Sequence, residues 1–262
     1  MDILEKVDCF YQNYTGEKKI LGYSYKDRPI YAFCVKKSSS PKIIFTYAIH
    51  GREYITSYLA LKQIETFSFY GKRGTVWFLP VLNPDGVYLS LYHNKKNKAN
   101  ARCVDLNVNF DAKWGMGEKN LRFPFYENYI GSRPFSEKET RLLRDFTLSV
   151  CPDLTVSYHA KGEEIYFEFN QDKNRFIRDQ KIAKIVERQT GYKIKPTPNS
   201  TGGYKDWCVD KLKIPALTIE VGKDSLSHPI NEEHLSEIYL KNKGVVFSLT
   251  EIKWLKNLCV KP

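Results

Sequence analysis

Lys42 to Ala48 reads Lys-Ile-Ile-Phe-Thr-Tyr-Ala, an apolar run of the kind that forms a strand buried on both faces. Upstream, residues 1–20 suggest a short helix and a turn at Asn13-Tyr14-Thr15-Gly16. Ile20 to Val35 alternates in two segments broken by Lys26-Asp27-Arg28, which predicts a β-hairpin. Downstream, Tyr54 to about Tyr70 has the period of a helix, and Thr75–Val81 is rich in the β-branched and aromatic residues of a strand. Asn83-Pro84-Asp85-Gly86 predicts a turn, because proline fixes φ and glycine takes positive φ freely. From Val87 to Phe135 the pattern is polar, aromatic and irregular, as in a site-forming excursion. Ser136-Glu137-Lys138-Glu139 fits a capping box that opens a helix to about Val150. Asp153–Tyr158, Glu164–Phe169 and Pro215–Val221 read as strands, and Asn174–Gln189 as a helix. Leu235, Ile238, Val245, Leu249 and Ile252 trace a last helical stripe, weakened at Gly244.

Strands and helices alternate throughout, the pattern of an α/β domain around a central sheet. No repeat or long polar linker divides the chain, so residues 1–262 are expected to form a single domain, with the short helix and hairpin at 1–35. Hydrophobic residues make up 42% of the 262, enough for a substantial core. No apolar run reaches the roughly 18–20 residues of a membrane span, and the N-terminus lacks a secretory signal. A cytoplasmic protein with no membrane partner is the expectation.

The six cysteines are far apart and include no Cys-x-x-Cys pair, which argues against a cysteine zinc site and for reduced structural thiols. The net charge of +11 points to an anionic partner. It is spread over single lysines, with one denser patch at Lys95, Lys96, Lys98 and Arg102. No nucleic-acid reading motif accompanies it, so an acidic small substrate is the better use of the charge.

Three chemical motifs fall at the carboxyl ends of expected strands, the edge where open α/β sheets bind ligands. His50-Gly51-Arg52-Glu53 puts an imidazole and a carboxylate three residues apart at a strand-to-helix junction. Both are zinc ligand types, and a catalytic zinc needs three protein ligands. His159 is the natural third; alone, it also fits a hydrogen-bonded strand cap. Glu220 ends an apolar strand, where it can serve as general base to a zinc-acidified water or simply reach solvent. His93, His228 and His234 lack ligand spacing and are assigned structural roles.

In order along the chain, His50-Gly51-Arg52-Glu53, Leu79–Gly86, Val104-Asp105-Leu106-Asn107-Val108-Asn109-Phe110, Ser157-Tyr158-His159, Thr201-Gly202-Gly203-Tyr204-Lys205-Asp206-Trp207 and Thr218-Ile219-Glu220 resemble the zinc carboxypeptidase (carboxypeptidase A-like) superfamily. The resemblance implies a three-layer α/β/α sandwich with a mixed, mostly parallel sheet of eight strands. It implies one Zn2+ per chain held by His50, Glu53 and His159, with Glu220 as catalytic base. It also implies an arginine shortly before Asp-Leu-Asn that stabilises the oxyanion, for which Arg102 is the candidate, and a substrate contact from Asn107.

Two positions depart from the family pattern. Val108 stands where family carboxypeptidases place an arginine that grips the C-terminal carboxylate, and an aliphatic group cannot make that bidentate contact. Pro198 lies near the place of the substrate-capping tyrosine. The motifs look most like the bacterial branch that cleaves γ-D-glutamyl–diaminopimelate bonds in cell-wall peptides. An acidic muropeptide is therefore the expected substrate, with Arg133, Lys161, Lys205 and Tyr204 as further contacts. The alternatives are an ordinary metallocarboxypeptidase, an N-acyl-amino-acid deacylase, or a non-catalytic wall- or polyanion-binding protein.

Overall fold

The computed structural model describes residues 1–253. Its strands are β1 (Lys18–Tyr23), β2 (Pro29–Lys36), β3 (Lys42–Tyr47), β4 (Thr75–Leu79), β5 (Leu154–Ala160), β6 (Glu164–Tyr166), β7 (Lys193–Ile194) and β8 (Ala216–Val221). They form one sheet of eight strands in the order β1-β2-β4-β3-β5-β8-β6-β7. The hairpin β1–β2 is antiparallel, as are β2–β4 and β6–β8. β4, β3, β5 and β8 run parallel at the centre, and β6–β7 is also parallel.

Helices cover both faces. On one side α1 (Ile3–Asn13), α2 (Ile55–Tyr70), α5 (Lys173–Thr190), α7 (Leu235–Asn242) and α8 (Val245–Thr250) pack on Phe45, Tyr47, Val156, Tyr158, Leu217 and Ile219. On the other, α4 (Lys138–Val150) and α6 (Tyr204–Asp210) meet Ile44, Trp77 and Ala216 through Leu143, Phe146 and Trp207. The central strands thus bury apolar side chains on both faces, which explains their continuous hydrophobic patterns. β5 and β8 depart from that rule. Thr155, Ser157 and His159 on β5, with Thr218 and Glu220 on β8, make a polar column on the α4/α6 face. Thr46 Oγ1 donates to Ser157 Oγ at 3.0 Å within it.

Several local expectations are corrected. Asn83-Pro84-Asp85-Gly86 is the start of α3 (Pro84–Tyr92) and not a free turn. Asn83 Oδ1 caps the helix by accepting from Gly86 N at 2.8 Å, and proline suits the first helical position because its missing N–H is not needed there. The capping box at 136–139 does not form. Glu137 is the N-cap of α4 without a side-chain cap bond, and Ser136 Oγ donates to Glu137 Oε1 instead. The last stripe is split at Gly244 into α7 and α8, with Ile252 buried just beyond. α6 and the two-residue β7 were not anticipated. Cys34 is a buried thiol and Cys9 an exposed one, whereas Cys259 lies outside the described residues.

Candidate metal centre and active site

β3 ends at Tyr47, and the chain reaches His50 three residues later, just before a 3-10 turn at Gly51–Glu53 that leads into α2. Asn83 holds this crossing: its N–H donates to Ala48 O and its Nδ2 to Ile49 O, at 3.1 and 3.0 Å. Gly51 is required by close approach, since a Cβ there would lie 2.1 Å from the Gly86 carbonyl oxygen. His-Gly-Arg-Glu and Asn-Pro-Asp-Gly are therefore two halves of one packed junction. α3 in turn is tied to the hairpin turn, because Asp85 accepts from Ser24 Oγ, Lys26 N and Arg28 Nη1.

His50, Glu53 and His159 are all buried, and one ligand atom from each lies within 4.8 Å of the others. His50 Nδ1 is 2.8 Å from Glu53 Oε1, and His159 Nδ1 is 3.1 Å from Glu53 Oε2. Both Nδ1 atoms therefore converge on one carboxylate. Among the described residues no other group of three His, Cys, Asp or Glu side chains is arranged this way. Asp105 Oδ1 sits 3.2 Å from His50 Nε2, which favours the tautomer with a proton on Nε2 and a free lone pair on Nδ1.

Burial opposes a charge on His50, yet the Glu53 and Asp105 carboxylates outweigh it and raise its pKa to about 9. Burial alone would raise Glu53, but His50 and His159 hold it far below the usual carboxylate range. The Glu53 and Asp105 carboxylates thus place negative charge around His50, whereas burial lowers the pKa of His159 and keeps that ring a neutral donor. Nitrogen, oxygen and nitrogen donors, three in number and buried, fit a catalytic zinc. His159 Nε2 is buried without a hydrogen-bond partner among the described residues, so that ring is held mainly from its Nδ1 side.

Glu220 lies directly opposite His159 in the parallel β5–β8 register. Burial, then the negative charge of Glu53, push its pKa well above the ordinary value. The nearby cation is Lys98. Its Nζ is 2.6 Å from Asp105 Oδ2 and donates to Asn128 Oδ1 at 2.7 Å, and its charge is felt by His50, His159 and Glu220. Burial opposes that charge, but Asp105 more than restores it and raises the Lys98 pKa.

A cleft of about 290 Å³ opens beside His50, lined by Lys98, Asp105, Asn107, Val108, Asn128 and Pro198 among others. Asn107 and Val108 stand in it because a 3-10 turn at Leu106–Val108 is stapled to Gly202. A Cβ on Gly202, whose φ is +85°, would meet the Val108 carbonyl oxygen at 2.8 Å. This contact is the physical reason for glycine at position 202.

Other expected site residues lie elsewhere. Arg102 is half exposed, with Nε 3.5 Å from Glu137 Oε2 and its guanidinium over the Tyr25 ring, and it does not line the cleft. Tyr204 is core: its hydroxyl bonds Thr147 Oγ1 at 2.7 Å. Arg133 is exposed, outside the cleft lining. Lys161 pairs with Asp224 at 2.9 Å, and Lys205 with Asp206 at 2.5 Å. Arg52 reaches outward to Glu127 at 2.6 Å. Lys98 was overlooked because it is one of several lysines in the basic patch. The signal that could have found it is its place seven residues before Asp105, on the same loop.

Residues 4–242 match the model of the family described as Peptidase_M14, zinc carboxypeptidase. The chain belongs to the zinc carboxypeptidase family. Its cofactor is a zinc ion, and it is a metallopeptidase. A γ-D-glutamyl-L-diamino acid endopeptidase 1 from Lysinibacillus sphaericus is 27% identical over 94% of this chain and 69% of its own length. Human mast cell carboxypeptidase A is 29% identical over 70% of this chain, which spans about half of that relative, 49%. Among solved structures, bovine thrombin-activatable fibrinolysis inhibitor superposes with a TM-score of 0.82 at 21% identity, covering 94% of this chain and 93% of that one. Murein-tripeptide amidase from Escherichia coli O157 gives 0.66 at 23% identity, covering 90% and 92%. These likenesses establish the carboxypeptidase fold around the sheet described above.

Proposed function

We propose that this family member hydrolyses the γ-D-glutamyl–diamino acid bond of acidic cell-wall peptides. The carrying observation is the buried His50–Glu53–His159 cluster with Glu220 in register beside it, opening onto a cleft that presents Val108. His50 and His159 through Nδ1, and Glu53 through its carboxylate, would hold the zinc. Zinc held there would supply Lewis acidity to the scissile carbonyl and to the attacking water. Glu220 would take a proton from the attacking water on its carboxylate and give it to the departing amine. Burial and the Glu53 carboxylate push its pKa upward, the direction that favours a group which must accept the proton and then give it back. Lys98 offers positive charge to the oxygen that becomes negative, and Asp105 positions both Lys98 and His50.

The substrate assignment draws on Val108 and Pro198 in the cleft, on the basic charge, and on the likeness to the Lysinibacillus sphaericus endopeptidase. Without an arginine beside Asn107, a free C-terminal carboxylate has no bidentate partner at that position. The test is release of diaminopimelate from L-Ala-γ-D-Glu-diaminopimelate by zinc-loaded protein, with free and C-terminally blocked ordinary peptides as the comparison. Release from the wall tripeptide, lost in Glu220→Gln, is the expected result. Equal turnover by Glu220→Gln overturns the mechanism, and turnover of ordinary peptides alone overturns the substrate.

A further inference from the structure

Lys98, Asp105 and Asn128 also form part of a second cavity, about 330 Å³, on the other side of this shared wall. That volume is within the range of about 300–1,000 Å³ that holds small ligands. Its inner lining is the 94–101 segment, and its rim is Phe125 and Tyr126, 86% and 64% exposed. Two large rings turned to water beside a catalytic cleft are a costly arrangement for a soluble chain. The loop is also held in an unfavourable shape: Phe125 and Asn128 both have left-handed backbone, with φ of 73° and 66°. Two polar ties fix it across the metal site, Arg52 Nη1 to Glu127 Oε1 at 2.6 Å and Lys98 Nζ to Asn128 Oδ1 at 2.7 Å.

The lining chemistry narrows the occupant. Lys98 is balanced by Asp105 and Glu127 by Arg52, which leaves Lys96 as the lining charge with no ion-pair partner among the described residues. Asn94 and Asn128 line the cavity, and their side-chain oxygens accept from Lys96 N and Lys98 Nζ, so donation through NH2 is what these amides have to offer a ligand. A phosphate or a cluster of carboxylates would need more uncompensated cations. A ring with hydroxyl and amide groups on its edge and an apolar face fits a rim of exposed aromatic rings above amide side chains.

We propose that this cavity and its rim bind an N-acetylated amino sugar joined to the amino-terminal side of the scissile peptide. The preferred substrate is then a glycan-linked peptide in preference to the free one. This rests on the wall-peptide reading above, with Asn107 and Val108 on the leaving-group side, so the shared wall separates the two ends of the substrate.

The test is calorimetric binding to zinc-loaded Glu220→Gln protein, with the free wall tripeptide and the same peptide carrying N-acetylmuramic acid as probes. The expected result is binding of the sugar-linked peptide about 10-fold tighter, with that ratio falling to near one in the added double substitution Phe125→Ala/Tyr126→Ala. Circular dichroism and bound zinc check that the variant is folded. A ratio near one in the parent, or a ratio preserved in the double variant, overturns the proposal. Turnover by the unsubstituted enzyme is scored separately. If neither peptide is hydrolysed but the aromatic-dependent ratio persists, the scissile bond has been misassigned and the sugar site stands.

Discussion

Replacing Glu139 by Gln should remove most of a pH-dependent instability carried by the loop that presents Asp105. Glu139 is fully buried on α4; its Oε2 accepts from Asn100 Nδ2 at 3.3 Å, and its Oε1 has no partner. Asn100 also donates to Glu137, and its own oxygen accepts from Arg102 N and Val104 N, which shapes the turn leading to Asp105. Burial, reinforced by the negative charge of Glu137, pushes the Glu139 carboxyl from 4.5 up to about 7. The folded state therefore holds this proton more tightly than the unfolded one. Its stabilising effect is complete below pH 4.5 and is lost as pH rises through about 7. At about 1.4 kcal/mol per pH unit, the full loss is about 3 kcal/mol, of which about 2.5 falls between pH 5 and pH 8. Gln keeps the shape and never ionises. The assay is urea unfolding of the zinc-loaded parent and Glu139→Gln at both pH values. The parent's stability relative to the variant should fall by about 2.5 kcal/mol across that interval. Taking the difference cancels the shared titration of the metal ligands. Parallel profiles, within about 0.5 kcal/mol, would refute the assignment of a raised pKa to this group.

Three further outcomes follow from the site. Lys98→Ala should lower kcat about 100-fold or more, with partial rescue in Lys98→Arg, whereas Arg102→Ala should stay within about twofold; steady-state kinetics separate the two. Val108→Arg should raise kcat/KM for peptides with a free C-terminus at least about 10-fold, because it restores a bidentate carboxylate partner; unchanged preference in a peptide panel counts against the reading of Val108. Chelation should abolish activity and zinc should restore it, while His159→Ala should lose bound zinc by metal analysis and keep its far-ultraviolet circular dichroism.

The chemistry of the metal site was legible because its residues sit where periodicity changes. His50 follows an apolar strand, His159 comes near the end of an alternating one, and Glu220 is a carboxylate late in an apolar one, so each is conspicuous against its background. The parallel centre of the sheet was legible for the same reason. The 84–92 helix was missed because Asn-Pro-Asp-Gly serves both turns and helix starts, and local chemistry does not choose between them. What chooses is the long-range bond from Asn83 to Ile49. Lys98 was missed because its distinction is a burial that only the folded loop creates, by pairing it with Asp105. Tyr204 shows the opposite error: a motif residue read as facing substrate is packed against Phe110 and Trp207, while its backbone N–H holds Asn107 Oδ1 at 3.2 Å.

The cluster around Glu53 has donors from the end of β3 and from β5, with Glu220 supplied by β8, and these three strands are adjacent in the sheet order. Residues 50 and 220 are brought together only when the parallel centre is assembled in the correct register. A one-residue slip of β5 would turn His159 to the opposite face of the sheet. Metal capture is therefore a checkpoint on sheet assembly: a misregistered chain lacks the third donor and forfeits the stabilisation that binding confers on the native state alone.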